Sequence, residues 1–190
     1  MIFRVKDNKL HLVDIEVQNE EKFVLENSTA NVLYITVNKD ELPVIEGREN
    51  LIYFYELDED GNIAVDIERT LQRYKEDLIF VINKRRDDML LAGFDWAQPS
   101  SEVKAHFILN QEYKDTFMAL ALSVLLGQTE DLFIIDSNDK TIVLSAEDVK
   151  KLALLVSQKV SAIYYQARQL KDSILACQDF DCIDQILADL

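Results

Sequence analysis

The stretch from Ser137 to Ile174, SNDKTIVLSAEDVKKLALLVSQKVSAIYYQARQLKDSI, constrains the fold more than any other part of the chain. Asp136-Ser137-Asn138-Asp139 is a polar turn between two short apolar runs, Leu132–Ile135 and Thr141–Leu144, which predicts a hairpin. Ser145 is a good N-cap, and Glu147 and Asp148 lie in the first turn, where the helix dipole favours negative charge. Apolar residues then recur at steps of three and four: Val149, Leu152, Val156, Val160, Ile163, Ala167, Leu170 and Ile174. That period predicts one long helix over 146–176, with a short final helix from Asp181 to Leu187.

A second long helix is predicted upstream. From Asp66 the period shifts to the helical one, with Ile67, Leu71, Tyr74, Leu78, Val81 or Ile82, and Met89 on one stripe and charges between them. Gly93 stops it as a C-terminal glycine. Phe94-Asp95-Trp96, a Pro99-Ser100-Ser101 turn, and the alternation of Val103, Ala105, Phe107 and Leu109 with polar residues predict a hairpin near 94–109. Asn110 caps a helix running to Leu126 and closed by Gly127.

Residues 1–65 lack the helical period. Ile2–Val5 and Leu10–Val13 flank Asp7-Asn8, an opening hairpin. Asn31–Val37 is dense in β-branched and aromatic residues, and Leu51–Tyr55 is the next expected strand. The fold class expected is therefore α+β. A small N-terminal antiparallel β module spans 1–65, and 66–190 forms a long helix followed by a ββαββα cassette that ends in a long helix. With two prolines and four glycines in 190 residues, no flexible linker is expected.

Charge narrows the function. Thirty-five acidic residues against 20 basic ones leave −15, spread along the chain rather than collected in a tail. Such a balance disfavours nucleic acid and anionic membrane, because phosphate binding draws on Lys and Arg. The N-terminus carries charge where a signal peptide needs an apolar core, and no apolar run reaches membrane-spanning length. The best such run, Phe117–Leu126, is about ten residues, half of what a span needs. Cys177 and Cys182 lack the spacing of redox or zinc motifs and are expected to be reduced.

Candidate chemistry is sparse. Glu56-x-Asp58-x-Asp60-Gly61-x-Ile63 has the alternating acids and sixth-place glycine of a calcium loop. Its twelfth position is Ile67, where such a loop needs a bidentate Glu. An acidic hairpin turn accounts for the same residues, so no metal is expected. His11 and His106 lie far apart on the polar sides of predicted strands. The serines fit turns and caps, not a nucleophile elbow, and the glycines form no phosphate-binding loop. No catalytic residue and no cofactor site emerges, and an enzyme is not expected.

The long last helix is the candidate for contact. Its stripe, with Val156, Ile163 and Leu170, either packs on the helix of residues 66–91 or serves self-association, which would make a homo-oligomer. Of Tyr164 and Tyr165, about 100° apart on the helix, one is expected to pack and the other to face a partner.

Several segments resemble a known family. These are the charged helix leading into Ala92-Gly93-Phe94, the polar-start helix NQEYKDTFMALAL, the hairpin DKTIVLSAEDV from Asp139 to Val149, and Ala167, Leu170, Lys171 and Ile174 as A-x-x-L-K-x-x-I. Together, over about residues 70–187, they resemble the uncharacterised C-terminal domain of many tail-fibre-associated proteins of tailed bacteriophages. YFYELDEDGNI, residues 53–63, resembles the N-terminal β segments of small tail-fibre assembly proteins. The resemblance implies a non-enzymatic tail component that binds tail-fibre or baseplate proteins. It would reside in the virion tail and pass through the host cytoplasm during assembly. It implies no reaction, cofactor or catalytic residue. A tail-fibre assembly chaperone is the alternative, and charge −15 raises a third: an acidic nucleic-acid mimic that blocks a host enzyme.

Overall fold

The structure, a computed structural model, describes residues 1–13, 33–99, 101–130 and 132–189. It is α+β. Two compact units divide the chain: Met1–Leu78 with Asp179–Asp181, and Ile79–Gln178 with Cys182–Leu190. The division falls inside a helix, between Leu78 and Ile79.

The first unit holds an antiparallel sheet of β1 (Ile2–Lys6), β2 (Lys9–Leu12), β3 (Leu33–Thr36), β4 (Tyr55–Leu57) and β5 (Ile63–Val65), ordered β3-β1-β2-β4-β5. Asp7 and Asn8 both take left-handed conformations, φ 52° and 61°, which fits the tight turn of a twisted hairpin. Phe3, Leu10, Val37 and Tyr55 form the buried face. Of the strand expected at 31–37, Asn31 and Val32 lie outside the described residues.

The strand expected at 51–55 begins only at Tyr55. The preceding backbone is committed elsewhere. The Tyr53 hydroxyl donates to the carbonyl of Arg48 at 2.9 Å and accepts from the amide of Ile45 at 2.9 Å. The Phe54 amide donates to Thr70 Oγ1 at 3.1 Å. These side-chain partners replace a ladder, so β-propensity alone placed the strand four residues early.

Helix α1 (Ile67–Ala92) starts at a buried carboxylate. Asp66 accepts from the Arg69 amide at 3.0 Å and from Lys9 Nζ at 2.9 Å. Burial pushes its pKa up, but the Arg69 N–H and the Lys9 ammonium outweigh burial and hold it below the ordinary carboxylate value. A depressed folded pKa contributes stability above the unfolded value of about 3.9 and loses it as pH falls through the folded value. Asp66→Asn is therefore expected to lower stability at pH 7 and to cost progressively less at a pH below the unfolded value. Urea unfolding at both pH values checks this; an equal loss at both would refute the linkage.

The second unit carries β6 (Phe94–Ala97) and β7 (Lys104–Phe107), helix α2 (Gln111–Leu125), β8 (Phe133–Ile135) and β9 (Thr141–Val143), helix α3 (Ala146–Ala176) and helix α4 (Phe180–Ala188). Each strand pair is a separate antiparallel hairpin. Asn110 caps α2 through the Tyr113 amide, and Ser145 and Asp148 form a reciprocal capping box on α3. Asp148 is almost fully buried and also accepts from Gln98 Nε2 at 3.0 Å, tying the α3 start to the β6–β7 connection.

Both hairpins, α2 and the first half of α3 share one core, with Phe107, Leu109, Leu132, Ile142 and Leu152 inside it. Leu152 is 1% exposed. Leu152→Ala is expected to cost about 2–5 kcal/mol, since a cavity would remain. Leu170, at an equivalent place in the stripe, is only half-buried, and the same substitution there should cost clearly less. Chemical denaturation of the two variants tests the contrast.

The cysteines depart from expectation. Cys177 and Cys182 form a disulfide from the C-cap of α3 into the first turns of α4, and no cysteine is free. The spacing does not match a redox motif, yet the sharp turn between the helices brings their Cα atoms to 5.6 Å, within bridging range.

Candidate functional site

The apolar stripe of α3 is shared between two environments. Val149, Leu152 and Val156 enter the core beside α2 and the hairpins. Val156 is 6% exposed beside α2, and its edge lines a small hollow between α2 and α3. Ile163 and Leu170 are half-buried and face the second half of α1 across a groove of about 540 Å³. Ile82 and Met89 form the α1 wall, with Arg85 and Arg86 beside them; Gln166, Gln169 and Ser173 complete the α3 wall. No carboxylate lines this groove.

Polar contacts bridge the two helices. Asn83 Oδ1 accepts from Arg86 at 3.2 Å and also from the Lys171 ammonium. The Arg86 guanidinium also pairs with Asp87 at 2.7 Å and lies 5.2 Å from the centre of the Tyr164 ring. Tyr164 and Tyr165 are both exposed, at 44% and 63%, so neither packs inside. The inward arc is filled by Ile163, Ala167 and Leu170, and consecutive positions beside it both point outward. Gln169 donates to the Tyr165 hydroxyl at 2.9 Å.

The acidic loop is a structural turn. Asp58 Oδ1 accepts from the Asn62 and Asp60 amides at 2.8 and 3.0 Å, and its pKa is lowered, first by the Asn62 backbone N–H. Glu56 lies within β4, opposite Lys9 and Ala64, and Asp60 is exposed in the turn. Those three side chains are thus not gathered around one point. Among the described residues no group of three or more His, Cys, Asp or Glu could hold a metal ion.

His106 and Asp95 face each other across β6 and β7, Nδ1 to Oδ1 2.8 Å. Ser137 Oγ donates to the His106 carbonyl instead of approaching the ring. That arrangement leaves the hydroxyl without a base, so this cluster does not form a nucleophile relay. Asp136, nearby, accepts from the Lys140 and Asn138 amides at 2.9 Å, which outweigh its burial and lower its pKa. His11 is exposed on β2.

A family model matches residues 73–188, well over half the chain. The chain belongs to the family described as domain of unknown function (DUF4376). The DUF4376 region takes in α1 from Arg73 onward, both hairpins, α2, α3 and all of α4. Its description names no activity, ligand or partner. No curated protein and no solved structure matches the chain.

Two apolar surfaces of the DUF4376 region were missed by periodicity. On α2 and its C-cap, Met118, Leu122, Leu125 and Leu126 are 56–80% exposed. On the outer face of β8 and β9, Phe133, Ile135 and Val143 are 50–72% exposed, with Ile134 and Ile142 facing the core. A sequence signal existed for each. No charge occurs between Thr116 and Thr129, and Leu132–Ile135 is apolar at consecutive positions, so both faces of that strand are apolar.

Proposed function

We propose that this protein is a non-enzymatic component of a bacteriophage tail, associated with the tail fibre or baseplate and acting by binding other tail proteins. The observation that carries the binding mode is the carboxylate-free groove between α1 and α3, with Tyr164 and Tyr165 exposed on α3. Amphipathic tyrosines beside an apolar furrow suit protein contact, because they bury large area at low entropic cost. The tail context rests on the resemblance carried by Ala92-Gly93-Phe94 and DKTIVLSAEDV.

The chaperone reading has support of its own in the N-terminal segment YFYELDEDGNI. The nucleic-acid-mimic reading draws none from the helix surfaces. There carboxylates alternate with bases in pairs such as Arg73–Asp77, Lys151–Glu147 and Arg168–Asp172. A mimic needs an unbroken carboxylate array.

Quantitative mass spectrometry of purified virions tests the proposal. The protein is expected at a fixed ratio to a tail-fibre or baseplate protein. Absence from virions, with recovery of a tail-fibre protein in pull-downs from infected cells, would replace the structural part with a departing chaperone. Absence from both would overturn the tail reading.

A further inference from the structure

The two edges of the β8–β9 hairpin differ. Its ladder passes through Leu132 and Asp136: the Leu144 amide donates to the Leu132 carbonyl at 2.8 Å, and the Asp136 amide to the Lys140 carbonyl at 2.9 Å. Bonded and non-bonded pairs alternate along antiparallel strands, so Ile134 also bonds to β9, and the N–H and C=O groups of Phe133 and Ile135 point the other way. Among the described residues no hydrogen bond reaches those groups. The opposite edge is already engaged, because the Val143 carbonyl accepts from Gln98 Nε2 at 2.9 Å.

The free edge of β8 opens onto a slot of about 520 Å³ between this strand and the start of α2. Ser137 pins one end, its amide and hydroxyl both donating to the His106 carbonyl, at 2.9 and 2.8 Å. Past that bridge the chain is drawn away from β8, since the Leu109 amide donates to the Leu90 carbonyl on α1 at 2.7 Å. Two stretches of backbone thus part from one bridge. From Ser137 back to Phe133 the edge extends about 14 Å, at about 3.4 Å per residue.

The slot has an apolar side and a charged side. Phe133, Ile135 and Ile108 supply the first, and Glu112, Asp136 and Asp139 the second; among the described residues no lysine, arginine or histidine lines it. Burial, and then the charges of Asp136, Glu112 and Asp139, raise the Tyr113 pKa above its ordinary value, so the three carboxylates act on one place. Exposed strand edges are commonly blunted by lysine or proline, and Leu132–Ile135 carries neither.

We propose that the free edge of β8 is a docking site for an extended, basic segment of a partner protein, which adds to the hairpin as a third strand. Main-chain hydrogen bonds to Phe133 and Ile135 supply the pairing, and alternate apolar side chains of the segment cover their exposed side chains. Its lysines or arginines meet Glu112 and Asp139, Asp136 being already committed to the Lys140 and Asn138 amides. The unpaired backbone groups require an extended occupant, because a helix satisfies its own amides internally and would leave them bare. Charge sets the sign: a net −15 draws a basic segment in at long range and repels a second copy of the chain. Nothing in this pairing depends on a tail context.

Fluorescence anisotropy of the full chain with a labelled peptide of about seven residues, alternating valine and lysine, is the first test. Saturable binding is expected, at least about 10-fold tighter than for the same peptide with glutamate in place of lysine. Methylating the peptide's backbone nitrogens that face β8 should weaken it about 10-fold, which a purely ionic contact would not show. Glu112→Lys should also cost about 10-fold, whereas Glu147→Lys, an equal change of charge at the start of α3, should cost about twofold at most. Both side chains are exposed, and circular dichroism checks that the variants fold. Amide hydrogen exchange locates the contact: the Phe133 and Ile135 amides should gain protection when the peptide is bound. No binding up to about 1 mM, equal affinity for the glutamate peptide, indifference to methylation, or protection elsewhere would overturn the proposal. So would protection of these two amides in the free chain that rises with protein concentration, because it would assign the edge to a second copy.

Discussion

Replacing Phe107 with alanine is expected to lower the unfolding free energy by about 3–5 kcal/mol. Phe107 is fully buried, and four rings surround it: Phe117 at 5.4 Å, Phe94 and Trp96 at 6.0 Å, and Tyr113 at 6.1 Å between centroids. All four contacts are tilted or edge-on, the Phe117 ring standing at 84° to it. Such geometries add to area burial. Rings from β6 and α2 cannot collapse together into the space without moving their backbones, so the cavity should persist. Denaturant titration followed by Trp96 fluorescence reports the loss directly. A change below about 1 kcal/mol would show that the cluster is not the centre of the core.

A change of one methyl group at Gly93 is expected to be comparably severe. Gly93 has φ +65°, and a Cβ there would lie 2.1 Å from the carbonyl oxygen of Phe107 and 2.8 Å from the Cα of Ile108. Left-handed strain in Gly93→Ala costs about 1–3 kcal/mol, and the overlap with β7 backbone, which has no side-chain end to swing aside, adds to it. Gly61 provides the control: its φ is +82°, but nothing lies within 4 Å of the added atom. Gly61→Ala should thus show the conformational cost alone. Equal losses at the two glycines would mean that the close approach at Gly93 relaxes at no cost.

The comparison also shows what the sequence could and could not reveal. Local signals were legible wherever the deciding contact is local. Ser145 with Asp148, Asn110 with the Tyr113 amide, and the Asp7-Asn8 turn are each settled within four residues. Gly93 was legible as a helix stop, yet its second reason, the passage of β7, depends on a residue fourteen positions away. Periodicity showed which side of α3 is apolar but not what covers it. Val156 is covered by its own core, whereas Leu170 lines a groove. Tyr53 hydrogen-bonds to a loop, and no propensity scale encodes that capture, so the strand begins later than its residues suggest. The exposed apolar face of α2 was not legible as a buried stripe, because what marks it is an absence of charge from Thr116 to Thr129.

The bridge between Cys177 and Cys182 has a consequence for handling the protein. It closes a loop spanning only six residues. Loop-closure entropy grows with loop length, and so short a span restrains the unfolded chain by only about 2 kcal/mol. Reducing agents should thus trim the melting temperature by several degrees and loosen the turn into α4, while the core around Phe107 stays assembled. A preparation made with dithiothreitol and one made without it should therefore share one fold, and differences between them report on the last turn of the chain.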